Sequence, residues 1–267
     1  MRRAITALVV AMLVAGCSST SEEPKQEPRD LPSRPNILLF ITDDQRASGT
    51  MEESLPKTLR YFQDEGTRYT QAFATTPVCC PSRASILSGR YAHRHGVHNN
   101  NEGPKMDEGD TLQRYLQDNG YFTAAVGKYL NRWPRDLDPQ YFDHWAIMLH
   151  NYYYDSLFNV DGDNREIAGY APDFIERKTI GLLDSFEEAD SRPWFLYVGT
   201  TAPHSPFQAE PRYEGASTPR YHPSPGVKEK STSDKPFFRF GRGANFRQVG
   251  ASSFAPCTRS TTRSTRS

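Results

Sequence analysis

The stretch NILLFIT, residues 36–42, constrains this chain more than any other feature. It is an uninterrupted apolar run with no alternation, bounded by Pro35 before it and by Asp43-Asp44 after it. A strand that faces water on one side alternates polar and apolar residues. A continuous run of this length instead predicts a parallel strand buried on both faces. The run WFLYVGT, 194–200, has the same character, and YFTAAVG, 121–127, reads as a third strand. Between them lie segments with helical spacing: 55–66, 82–89, 111–120 and 171–190. TRYTQAFA, 67–74, alternates like a further strand. Strands alternating with helices predict an α/β fold, a mostly parallel sheet covered by helices on both faces.

The folded part does not begin at the N-terminus. Met1-Arg2-Arg3 precedes an apolar run over residues 4–16, and Cys17 follows. At 13 residues the run is too short to span a bilayer, which takes roughly 20. A basic start, an apolar centre and small residues form an export signal. Val14 to Cys17 (VAGC) resembles a bacterial lipobox, so residues 1–17 are expected to be a lipoprotein signal peptide with Cys17 lipidated. Residues 18–35 hold four prolines and almost no apolar side chains, the composition of a disordered spacer. The expected location is the outer face of a bacterial membrane, periplasmic or extracellular.

The other end changes character as abruptly. Residues 236–267 contain six arginines, no Asp or Glu, and a Ser/Thr/Arg repeat. They read as a disordered basic tail. Either a native tail or a frame-shifted reading of a longer gene gives this composition. Residues 36–235 are the expected catalytic domain. Over the whole chain 32 Lys and Arg balance 32 Asp and Glu, so there is no basic field to suggest a nucleic-acid partner.

The polar candidates cluster by position in the strand pattern. Asp43-Asp44 follow 36–42, Lys128 follows 121–127, and His204 follows 194–200. In open α/β sheets, ligands bind beyond the carboxyl ends of the strands. The densest motif is Cys79-Cys80-Pro81-Ser82-Arg83-Ala84-Ser85-Ile86-Leu87-Ser88-Gly89-Arg90. It resembles the sulfatase signature, a C-x-P-S-R core followed by a leucine, a small residue, glycine and a basic residue. FITDDQ, HGVHNN, GKYLN and TAPHSPF extend the resemblance over residues 36–212, closest to the N-acetylglucosamine-6-sulfatase branch.

The resemblance implies an alkaline-phosphatase/sulfatase-like fold. It also implies oxidation of Cys79 to formylglycine by a formylglycine-generating enzyme. A hydrated aldehyde has two hydroxyls on one carbon: one attacks sulfur, and the other collapses to the aldehyde and expels sulfate. A thiol has no such release route. Asp43 and Asp44, with residue 79, would hold Ca²⁺ or Mg²⁺, for which carboxylate oxygens are suitable donors. Arg83 would hold the hydrate or a sulfate oxygen through its planar fork, and Lys128 would contact the sulfate. His204 would donate to the sulfate or to the leaving oxygen. The start of the helix after Cys79 would offer free N–H groups to an anion. His93, His95 and His98 are candidate substrate contacts. Where many members place a histidine two residues after the lysine, this chain has Leu130.

Family members also carry a later Asp-Asn or Asp-His pair that completes the metal site. Asp163-Asn164 is the one obvious candidate here. It precedes His204 instead of following it, and is read as a turn. The expected activity is hydrolysis of sulfated sugars or aryl sulfates by an incomplete domain. A phosphonate or phosphodiester hydrolase of the same superfamily and a membrane-tethered, inactive remnant are the competing readings.

Overall fold

The structure is a computed structural model that describes residues 33–46 and 55–216. The leader with Cys17, most of the linker and the Arg-rich tail lie outside the described residues. The elements in chain order are β1 (Ile37–Ile41), α1 (Pro56–Glu65), α2 (Cys79–Ser88), α3 (Ala92–His95), α4 (Leu112–Asp118), β2 (Phe122–Gly127), β3 (His144–Met148), β4 (Tyr154–Val160), β5 (Asp163–Tyr170), α5 (Ala171–Ala189) and β6 (Trp194–Gly199). They build one six-stranded sheet in the order β1-β6-β2-β3-β4-β5. β1, β6, β2 and β3 run parallel, and β4 and β5 add an antiparallel ribbon to one side. This mostly parallel sheet with flanking helices matches the expected fold class.

The central strands lack alternation because each feeds two cores. Successive side chains point to opposite faces. Phe195 and Tyr197 join Ala125 and Ile147 on the face covered by α2, with Cys80, Ala84 and Leu87. Leu196 and Val198 join Ala124, Val126 and Ala146 on the face covered by α5, with Ile175, Leu182 and Phe186. Burying each such large side chain stabilises by about 1.5–3 kcal/mol.

Three local expectations need correction. β1 is not buried on both faces: Leu38 and Phe40 are 43% and 52% exposed, and β6 is the strand it pairs with among the described residues. Residues 67–74 are turn and coil, with Tyr69 and Phe73 exposed, so their alternation buries nothing. Asp163-Asn164 is not a turn. Asp161-Gly162 makes the turn, and the pair opens β5 opposite Asn159 and Val160 of a largely buried β4. Asp163 pairs with Arg165, and Asn164 donates to the Arg135 carbonyl at 2.8 Å.

The register of the parallel strands sets up the site. Ile41 lies beside Gly199, and Gly199 beside Gly127, so the three chains leave the sheet together. Side chains are excluded at this edge. A Cβ on Gly127, at φ +85°, would sit 2.0 Å from the Gly199 carbonyl oxygen. A Cβ on Gly199 would sit 2.1 Å from the Lys128 carbonyl oxygen and 2.7 Å from an Arg83 guanidinium nitrogen. Overpacking of a rigid interior costs about 1–3 kcal/mol. Gly199→Ala is therefore expected to lower the thermal unfolding midpoint by several degrees. An unchanged midpoint would mean that the Lys128 carbonyl can move aside.

Candidate active site

Asp43 is the hub of the site. It leaves β1 buried, and its N–H donates to the Ala202 carbonyl at 3.1 Å, which ties the β1 exit to the β6 exit. Its two carboxylate oxygens face different cations: the Arg83 guanidinium is 3.6 Å from Oδ1, and the Lys128 ammonium bonds to Oδ2. All three side chains are almost fully buried, so the charges are screened little by water. Arg83 reaches this position from α2. It also donates to the Lys128 carbonyl at 2.8 Å and to the Tyr197 hydroxyl at 2.6 Å. The Tyr197 hydroxyl donates in turn to the Lys128 carbonyl at 2.9 Å.

Cys79 begins α2, half-buried and beside this cluster. The donor atoms of Asp43, Cys79 and His204 all lie within 4.8 Å of one another. His204 arrives on the loop after β6, whose course is held by the Tyr153 hydroxyl donating to the His204 carbonyl at 2.7 Å. A hydrogen bond with the Cys79 side chain pushes the His204 imidazole up to about 9, against the effect of burial. Asp44 has φ 62° and lies half-exposed, with its carboxylate 3.7 Å from His204 Nε2. The fold thus brings Asp43, Asp44, Cys79, Arg83, Lys128 and His204 to one place.

The adjacent cysteines are both free thiols. Cys80 is fully buried against the Asn131 carbonyl, and burial pushes its thiol up to about 11. Only Cys79 is exposed enough to react. The start of α2 offers an anion less than expected. The Cys80 N–H donates to Asn100 Oδ1 at 2.9 Å, the Ser82 N–H to the Val78 carbonyl, and Pro81 has no N–H. The buried cations beside Cys79 are the side chains of Arg83 and Lys128.

The histidine cluster also departs from expectation. His95 Nδ1 accepts from the Val97 N–H at 3.1 Å, which leaves the proton on Nε2 to donate to Ser85 Oγ at 3.0 Å. It is a packed core histidine. His93 stacks on Tyr91, and His98 pairs with Glu102. None of the three lines either of the two cavities beside Cys79 and Lys128.

Tyr197 and Glu108 had no signal in the sequence. Tyr197 sits in an apolar strand run, and Glu108 in a loop. Glu108 is buried and accepts from the Tyr129 hydroxyl at 2.8 Å and the Gln140 N–H at 3.0 Å, one residue along from Lys128. Burial pushes its carboxyl up to about 7 from an ordinary 4.5. The folded chain then holds a proton that the unfolded chain releases. Stability is expected to fall by about 3 kcal/mol as pH rises from 4.5 to 7. Denaturation midpoints across that window should flatten in Glu108→Gln; an equally steep loss in the variant would assign it to another group.

A mixed α/β sheet thus gathers a cysteine, two aspartates, two buried cations and a histidine at the carboxyl ends of its strands. The chain matches the family model described as Sulfatase over residues 35–249. It is 32% identical over 204 residues to the N-acetylglucosamine-6-sulfatase of Homo sapiens, covering 68% of this chain and 37% of that protein. With the N-acetylglucosamine-6-O-sulfatase of Bacteroides thetaiotaomicron it shares 31% over 225 residues, covering 81% and 38%. A protein solved in complex with its substrate D-glucosamine-2-N,6-O-disulfate superposes with a TM-score of 0.60 at 32% identity, covering 68% and 37%. The chain belongs to the sulfatase family. It spans less than two fifths of the length of these relatives.

Proposed function

We propose that this chain carries the active-site half of an exported sulfuric ester hydrolase for sulfated sugars, with Cys79 as the residue that becomes formylglycine. The observation that carries the reading is the convergence of Asp43, Cys79 and His204 within 4.8 Å, with Arg83 and Lys128 on the same carboxylate. Leader residues 1–17, with Cys17 as the lipid-anchored position, would deliver the domain to the outer membrane face. Similarity to an extracellular sulfatase homologue of Drosophila melanogaster and to the N-acetylglucosamine-6-O-sulfatase of Bacteroides thetaiotaomicron supports both location and substrate class.

Asp43 and Asp44 fit a hard divalent cation. Both are carboxylates at one strand exit, and Ca²⁺ or Mg²⁺ takes such oxygens. An oxygen on residue 79 would complete this side of the site. When bound, the ion would offset sulfate charge and polarise the hydroxyl on residue 79. Lys128, whose ammonium bonds to the Asp43 carboxylate, would contact a sulfate oxygen, while Arg83 is fixed by the Tyr197 hydroxyl and the Lys128 carbonyl. His204, when protonated, can donate to the leaving sugar oxygen.

A second reading, binding without turnover, is favoured by the donor count. Two carboxylates and an oxygen on residue 79 offer at most five oxygens, and Ca²⁺ takes about six to eight, waters included. The test is hydrolysis of an aryl sulfate with calcium or with chelator, by protein from cells that make formylglycine. Conversion of Cys79 would be checked by peptide mass. Calcium-dependent turnover supports the enzyme. Full conversion without turnover sinks it and leaves binding alone.

A further inference from the structure

Three consecutive tyrosines, Tyr152-Tyr153-Tyr154, stand where β4 begins. Tyr153 is the buried one. Its backbone is anchored, because the Ala171 N–H at the start of α5 donates to its carbonyl at 2.7 Å. Its ring stacks on Tyr170 at the end of β5, with centroids 6.0 Å apart and planes 21° apart. The side chain therefore leaves a rigid part of the fold, where the ribbon meets a helix. Its hydroxyl reaches out of the ribbon. It donates to the His204 carbonyl at 2.7 Å, with the Thr201 carbonyl as a second acceptor at 3.3 Å.

The loop it reaches leaves β6, and β2 and β3 stand between β6 and β4 in the sheet. The ribbon thus grips this loop from across the carboxyl edge. Two more of its hydroxyls grip the loop further along: Tyr170 donates to the Gln208 carbonyl at 2.9 Å and Tyr154 to the Ala209 carbonyl at 3.3 Å. The His204 carbonyl also accepts from the Phe207 N–H at 3.1 Å. That bond is internal to the loop, whereas the Tyr153 bond ties residue 204 to the sheet. On the other side of the residue, the imidazole meets the donor atoms of Asp43 and Cys79 within 4.8 Å. Side chains on loops are placed less precisely than those on strands and helices unless a rigid neighbour fixes them.

We propose that Tyr153 is a positioning residue, whose hydroxyl fixes His204 beside Cys79 and thereby controls proton delivery to the leaving oxygen. The inference rests on the function proposed above, in which His204 donates to that oxygen. When the bond from sulfur to a sugar oxygen breaks, the electron pair stays on oxygen, and the alkoxide leaves poorly without a proton. A nitrophenolate is stable as the anion and leaves without one. Displacing a catalytic group by about 1 Å can cost on the order of 10²-fold. A misplaced His204 should therefore slow the sugar ester and spare the nitrophenyl ester.

The test is turnover of glucosamine 6-sulfate and of 4-nitrophenyl sulfate by the full-length, converted chain with calcium. The histidine ring signals of the same proteins are read by nuclear magnetic resonance. Tyr153→Phe is expected to lower kcat on the sugar ester by about ten- to a hundredfold. KM for that ester, and kcat on the nitrophenyl ester, should stay within about twofold, because ground-state binding is untouched. The His204 signal, assigned by its loss in His204→Ala, should shift. Tyr154→Phe is the control: it removes a hydroxyl from the same ribbon and the same loop, at Ala209. It should keep the wild-type ratio of the two esters and the wild-type His204 signal. An equal fall on both esters in Tyr153→Phe, or an unmoved His204 signal, overturns the inference and leaves the function reading standing. So does the same change of ratio in Tyr154→Phe, which would assign the effect to the loop as a whole. If the converted wild-type chain cleaves neither ester, the function reading fails and the inference fails with it.

Discussion

Under the proposed function, replacing Cys79 with alanine is expected to lower sulfate-ester hydrolysis by a factor on the order of 10⁴ or more, the scale seen when a covalent nucleophile is lost. The fold should survive, because Cys79 is half-buried and starts α2 without a side-chain capping bond. The neighbouring cysteine is the internal control. Cys80 is fully enclosed, with a thiol pushed up to about 11, and has no path to substrate. Cys80→Ala should retain turnover and cost about 1 kcal/mol of stability. Turnover assays and denaturation curves on both variants check this. Equal loss of activity in both would mean that disruption of α2, not loss of one reactive group, explains the effect. The same pair reads out through His204. Its raised pKa depends first on the Cys79 side chain, so in unconverted protein Cys79→Ala should bring the imidazole titration down toward its ordinary range.

Arg83→Ala should produce the largest loss of stability. The guanidinium faces Asp43 Oδ1 and donates to the Lys128 carbonyl and the Tyr197 hydroxyl, all away from water. Removing Arg83 leaves the buried Asp43 with one counterion and strips a donor from the Tyr197 hydroxyl and the Lys128 carbonyl, at a cost of about 3–5 kcal/mol. Asp43 would keep Lys128 as its counterion, so catalysis and stability should fail together, with turnover down on the order of 10²–10³-fold. Arg83→Lys should not rescue, because a single ammonium cannot reach a carboxylate, a carbonyl and a phenol with fixed fork geometry. A denaturation midpoint near wild type in either variant would contradict this role and reduce Arg83 to a peripheral charge.

These two predictions differ in origin. Cys79 and Arg83 stand together in a twelve-residue motif, so their importance was readable in one dimension. What Arg83 holds was not. Tyr197 lies over a hundred residues away in an apolar run, and its hydroxyl becomes part of the site only because β6 is central and its odd residues face α2.

The sequence by itself determined the class of fold, because the apolar runs at 121–127 and 194–200 are satisfied between two helical layers. It also determined which polar residues follow which strand, hence the group Asp43, Asp44, Lys128 and His204. Tertiary structure decided what depends on sheet order and register. Among the described residues β1 lies at the end of the strand order, and Leu38 and Phe40 are exposed despite their apolar run. The antiparallel ribbon of β4 and β5 makes Asp163-Asn164 part of a strand, occupied with Arg165 and the Arg135 carbonyl. The packing of His95 onto Ser85 withdraws a conspicuous histidine from the site. Local pattern records what a residue can do; distant partners, brought close by register, decide what it does.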